Sequence, residues 1–444
     1  MATKALRTPL LLQATTRGFA AQASPALKKE QNIKSAVLPN KTFIAAVDNG
    51  SPLTRVTVAF KAGSRYEPAN ELGISHVLRS SAGLTTKHAS NYIVSRKLQQ
   101  IGATITAAGD REFVYYTLET TQGNLLGAIE NLTSLISNQE FRPWELSDNE
   151  PRLKFDIVSL APQVRAVDLL HKAAYRRGLG NSLFISPKKI GKISTESLQH
   201  FAQSNLTLDN CAVTVVGGDL DCAKLVGQQL QLCSGRSGSK DASKYFGGDV
   251  RKEMGGELAH IAIAVNGASA GSSSALPLAI AAKALGNGPV TKWGSDNSVI
   301  NRAIGNIGPF AAAGFNVTYS DSGLFGIVLT VPKDEAGNAA KAAVKVLKNG
   351  NLSEKEISAA KNQLKMQILC EAEDGRSLTE SLAAQGLYFG DLKTPSALAA
   401  ALDSINSSDV NSVSIFIFVP NFDTCIDKTN MDFVSFVNHQ DTSY

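Results

Sequence analysis

The sequence predicts an α+β protein built from two tandem homologous domains, each a mixed or antiparallel β-sheet packed with helices. Three observations predict it. From Leu53 to Ala62, Val56, Val58 and Phe60 alternate with Arg55, Thr57 and Ala59, the period of a half-buried strand. The alternation returns from His260 to Ala268, 205 residues after Arg55, and Thr120 and Val331, Phe141 and Leu352, and Leu153 and Leu364 each stand 211 apart. Between the copies, Cys233 to Asp249 turns to Ser, Gly, Lys and Asp, the composition of a linker. The expected division is a leader over residues 1–19, an N-terminal domain over 36–232, the linker over 233–249, a C-terminal domain over 250–411 and a divergent tail over 412–444.

Taken in order, Ala36 to Val47 reads as a first strand with a Pro-Asn turn in it, and Asp48-Asn49-Gly50-Ser51 as a hairpin-type turn into Leu53–Ala62. A helix carrying His76 follows a loop, and Asn91 to Ile101 reads as a helix capped by Asn91 and stopped by Gly102. Strands are expected over Thr104–Ala108 and Phe113–Glu119, joined through Gly109-Asp110. Helices then run over Gly123–Ser137, Glu145–Leu160, a segment holding His171 and Tyr175, and Thr195–Ser204, before a closing strand at Cys211–Val216. The second copy repeats the scheme with a helix at Ala275–Leu285, strands at Phe315–Tyr319 and Leu324–Val331, and a helix at Ala336–Leu347.

A chain of 444 residues exceeds one ordinary core, and 43% hydrophobic with 19% charged content is that of a soluble globular protein. No apolar run reaches the ~18 residues that span a bilayer, so any membrane association is expected through partners. The net charge of +5 is concentrated at the start: Lys4, Arg7 and Arg17 lie in an acid-free, hydroxyl-bearing leader ending near Phe19, which fits a mitochondrial transit peptide. The near-neutral remainder argues against nucleic acid as a partner. Five cysteines without close spacing read as reduced structural thiols.

The segment Gly73 to Lys87 stands where a zinc hydrolase carries His-x-x-Glu-His on a helix. Two imidazoles four residues apart project from one helical face, and a carboxylate beside the second takes a proton from metal-bound water. Here those positions hold His76, Arg79 and Ser80. Ser80 cannot replace an imidazole, and Arg79 puts a permanent cation where a dication and a base belong. Alone, His76 reads as a core or polar-contact histidine.

The order of elements, the tandem repeat and several local strings resemble the insulinase or pitrilysin-type metallopeptidase superfamily, in the branch of the mitochondrial processing peptidases and the core proteins of respiratory complex III. The strings are Glu140-Phe141-Arg142-Pro143-Trp144-Glu145, Asn181-Ser182-Leu183 with Ile190-Gly191-Lys192, Tyr319 to Gly326, and Ala359 to Lys365. The resemblance covers roughly Val37 to Val410 and implies a LuxS/metallopeptidase-like fold. It also implies a third zinc ligand, a glutamate, at the position of Ile157. With His76 the one ligand left, it implies an inactive homologue with no catalytic residues, no metal and no cofactor. The function it implies is a non-catalytic structural subunit on the matrix side of the mitochondrial inner membrane. Its partners would be core protein 1, cytochrome b, cytochrome c1 and the Rieske protein. The alternative is the substrate-binding, non-catalytic subunit of a processing peptidase, which carries a long glycine loop.

Gly286-Asn287-Gly288-Pro289, ahead of Lys292 and Trp293, lacks the phosphate-loop pattern and reads as a plain turn. Tyr319 and Phe325 read as core or strand-face residues, and Arg176-Arg177 as a solvated charge pair. After about Asn411 the resemblance stops; Ser414–Val419 reads either as a substitute strand or as part of an alternative exon or gene-model error.

Overall fold

The computed structural model describes residues 33–235, 242–253, 255–289, 298–305, 309–412 and 432–436. The expected leader, Lys292 with Trp293, and Ser414–Val419 lie outside the described residues.

The first half forms a six-stranded sheet in the order β1-β2-β6-β3-β5-β4, from β1 (Ile33–Val37), β2 (Phe43–Val47), β3 (Leu53–Phe60), β4 (Thr104–Gly109), β5 (Val114–Thr121) and β6 (Cys211–Val216). Two expectations are corrected here. The Pro-Asn turn divides Ala36–Val47 into two strands paired as an antiparallel hairpin, Ile33 opposite Val47. The Asp48–Ser51 turn does not join neighbours, because β6 inserts between β2 and β3, parallel to one and antiparallel to the other. All six residues of β6, Cys-Ala-Val-Thr-Val-Val, are buried, as suits a strand at the centre of a sheet rather than its close.

The helices of this half are α1 (Ile74–Ser80), α2 (Asn91–Gln100), α3 (Leu125–Ser137), α4 (Pro143–Asp148), α5 (Glu150–Val158), α6 (Pro162–Tyr175), α7 (Thr195–Asn205) and α8 (Leu220–Gln229). Ser90, not Asn91, is the N-cap of α2. The helix expected over Glu145–Leu160 is two short ones that meet at Asn149, just ahead of Pro151. On one sheet face, Ile44, Val56, Val58, Tyr116 and Leu118 pack against Leu125, Ile129 and Leu132 of α3 and Val226 of α8.

The second half repeats the plan as a five-stranded sheet, β11-β7-β10-β9-β8, from β7 (Leu258–Asn266), β8 (Asn287–Pro289), β9 (Ala311–Thr318), β10 (Gly323–Pro332) and β11 (Asp432–Phe436). Its helices are α9 (Ala275–Leu285), α10 (Val299–Ile304), α11 (Ala336–Asn349), α12 (Glu354–Glu373), α13 (Gly375–Phe389) and α14 (Pro395–Asp403). Asn287–Pro289, expected as a turn, is a short edge strand on Ala311–Ala313. The strand that the tail adds is β11, antiparallel to β7 as β6 is to β3.

In the central strands of both sheets, the second face is covered by a helix from the other half. Helix α13, from the second half, lies on the first sheet, its Leu378, Leu382, Ala383 and Leu387 against Phe43, Val47, Ala59, Phe113 and Val216. Helix α6, from the first half, lies on the second sheet, its Ala166, Leu170, Ala174 and Tyr175 against Ala262, Ala264, Tyr319 and Leu324. The alternation in β3 therefore separates two buried faces. Thr57, on the face expected to meet water, is wholly buried and shares a 2.9 Å hydroxyl hydrogen bond with Thr117.

Candidate functional site

Gly73 opens α1 in the left-handed region at φ 97°, and a Cβ there would lie 2.6 Å from the Ile185 backbone. The α1 amides at this end are held by a buried carboxylate: Glu67 accepts from the Gly73 and Ser75 N–H groups at 2.8 and 3.0 Å and from the Ser75 hydroxyl at 2.5 Å. These bonds fix the helix that carries the degenerate motif.

His76 is buried. Its Nδ1 accepts from the Ile185 N–H at 3.3 Å, its Nε2 faces Asp156 Oδ2 at 3.6 Å, and its ring stands edge-on to Phe184. Burial first, and the Arg79 cation second, push its pKa down to about 4, so it is neutral at pH 7. Arg79 donates to the carbonyl oxygens of Ser75, Gly109 and Leu183 at 3.3, 3.1 and 2.7 Å. Ser80 Oγ accepts from Asn149 Nδ2 at 2.8 Å, and its carbonyl oxygen from Asn149 and Arg152.

Ile157 is half-buried and packs at the edge of the first core. The side chain that α5 brings to His76 belongs to its neighbour Asp156, a residue that a count along the chain misses by one. One imidazole and one carboxylate fall short of the three protein ligands that a catalytic zinc site uses. Among the described residues no group of three or more His, Cys, Asp or Glu is placed to hold a metal. A groove of about 870 Å³ lined by Lys87, Glu140, Phe141, Trp144 and Gln203 includes none of the motif positions.

The strings singled out in the sequence serve as structure. Asp168 accepts from Arg111 at 2.7 Å, the Ser182 hydroxyl at 2.6 Å and the Leu183 N–H at 3.2 Å, which shapes the loop whose Leu183 carbonyl receives Arg79. Tyr319 is buried, its hydroxyl donating to His171 Nε2 at 2.8 Å while Nδ1 donates to the Val167 carbonyl at 2.7 Å. Phe325 is wholly buried. Arg176 is not simply solvated, since its guanidinium stacks over Phe246.

Residues 43–186 match the family model described as insulinase (peptidase family M16), and residues 192–364 the model of the peptidase M16 inactive domain. Mitochondrial cytochrome b-c1 complex subunit 2 of Homo sapiens is 36% identical over 86% of either chain. The chain belongs to the M16 family, in its subunit 2 branch. The rat protein of the same name is 33% identical over 89% of this chain and 91% of its own. A Solanum tuberosum mitochondrial-processing peptidase subunit alpha is 25% identical over 85% of this chain and 80% of its own. This M16 chain is a non-catalytic member: its more similar relatives are the subunit 2 proteins, and its second model is that of the inactive domain.

Proposed function

We propose that this chain is core protein 2, a non-catalytic structural subunit of mitochondrial ubiquinol–cytochrome c reductase that supports assembly and stability of the complex. The observation that carries the reading is the 36% identity to the human subunit, which runs across both halves. The bonding of Arg79 to three carbonyls agrees with it, because a peptidase needs a carboxylate there. The processing-peptidase alternative is less supported: the relative with that name is more distant, and Asn287–Pro289 forms an edge strand.

In this reading no metal is bound, and His76, Arg79, Ser80 and Ile157 have no catalytic role. Residues 1–19 direct the chain to mitochondria, and the repeated halves divide within 233–249. The chain sits on the matrix side of the inner membrane beside core protein 1, cytochrome b, cytochrome c1 and the Rieske protein. It is held there by partners; no described helix is long and apolar enough to cross a membrane.

Mitochondria solubilised in mild detergent and resolved on a native gel test the reading by mass spectrometry. Co-migration with cytochromes b and c1 is the expected result. Migration as a soluble heterodimer with an intact-motif metallopeptidase would sink it.

A further inference from the structure

The two exchanged helices are repeat equivalents. Shifted by the 211-residue offset of the copies, α6 falls on α13, and Asp110 in the β4–β5 turn falls on Asp321 in the β9–β10 turn. Each helix supplies the cover that the other half's sheet lacks, and each carries in its last turn a tyrosine that reaches the opposite turn. Tyr175 Oη bonds Ser322 Oγ and the Gly323 carbonyl, both at 2.9 Å. Tyr388 Oη donates to Glu112 Oε2 at 2.5 Å.

The two turns meet over one buried charge cluster. Glu112 accepts from Arg65 Nη1 at 2.7 Å and from the Ser320 N–H at 3.0 Å and hydroxyl at 2.5 Å. The same Arg65 grips both oxygens of Asp321, at 2.8 and 2.5 Å. Arg65 and Glu112 are nearly solvent-free, at 7% and 2% side-chain exposure, so removing one partner strands a buried charge. The connection between halves is tied to the β9–β10 turn and to α6: the Ser243 N–H bonds Asp321 at 2.7 Å, and the Phe246 N–H bonds the Ala174 carbonyl at 2.8 Å.

We infer that the chain is an internally swapped pair locked shut by Arg65, Glu112, Asp321, Tyr175 and Tyr388, so that the halves neither hinge apart nor unfold separately. The physical reason is that parting them strips an apolar face from both sheets and exposes both exchanged helices at once, while Glu112 loses Ser320 and Tyr388 and Arg65 loses Asp321, which leaves the two with only each other. No intermediate with one intact half retains a complete core.

Hydrogen exchange of the full-length chain, read by mass spectrometry under conditions that report global opening, tests this. Peptides covering β3 and β5 are expected to open at the same rate as peptides covering β7 and β10. Glu112→Gln should raise both rates by one common factor, on the order of tenfold or more. Tyr388→Phe and Tyr175→Phe each remove one hydroxyl and keep the ring, so they should fold and raise exchange in both halves, whatever becomes of the Glu112 variant. If one sheet stays protected while the other exchanges, or if each tyrosine variant loosens one half alone, the lock is refuted.

Discussion

Arg79 holds three backbone carbonyls from three separate segments, so its side chain joins α1 to the β4 end and to the Leu183 loop. Arg79→Met would leave buried acceptors without donors, and we expect it to destabilise the chain by about 3 kcal/mol in chemical denaturation. His76 behaves differently because it is buried neutral. Its folded pKa of about 4 lies below the ordinary 6.5, so the unfolded chain takes up the proton first as pH falls. Its contribution is therefore fully present above pH 6.5 and lost progressively towards pH 4. Between pH 7 and 4.5 the native chain should lose about 2.5 kcal/mol more than His76→Gln, measured as unfolding free energy at the two pH values. Equal losses would mean that the imidazole is already solvated.

Glycines inside helices separate packing from propensity. Gly386 in α13 lies on the first sheet, where an added Cβ would sit 2.3 Å from the Phe43 ring, whereas at Gly127 in α3 it would meet nothing within 4 Å. Gly386→Ala should cost about 2 kcal/mol by overpacking. Gly127→Ala should gain roughly 0.5 kcal/mol from helix propensity. Thermal unfolding of both variants decides whether α13 is seated this tightly on the opposite half. Helix α12 carries a capping box, Ser353 accepting from the Glu356 N–H while the Glu356 carboxylate accepts from the Ser353 N–H. Its loss in Ser353→Ala should cost about 1 kcal/mol.

For the whole molecule, a ligand that binds only the folded state raises its melting temperature, and the donor set around His76 offers zinc little to bind. Zinc added to the full-length chain should leave Tm unchanged within error. A rise of several degrees, abolished by His76→Gln, would show that a site persists with Asp156.

The sequence alone determined the repeat, most of the strands and helices, and the broken motif, because alternation, helical period and ligand identity are local properties of a chain. That the motif positions hold His76, Arg79 and Ser80, residue types that do not complete a zinc ligand set, is legible without coordinates. Tertiary structure decided what local pattern cannot carry. It placed Cys211–Val216 between β2 and β3, since strand order depends on partners more than 150 residues away. It brought Asp156 rather than Ile157 to His76, because the packing of α5 sets which side chain faces inward. It also buried Thr57: the polar members of a period-2 pattern read as solvent-facing until a helix from the other end of the chain covers their face, where Thr57 bonds Thr117 on the neighbouring strand.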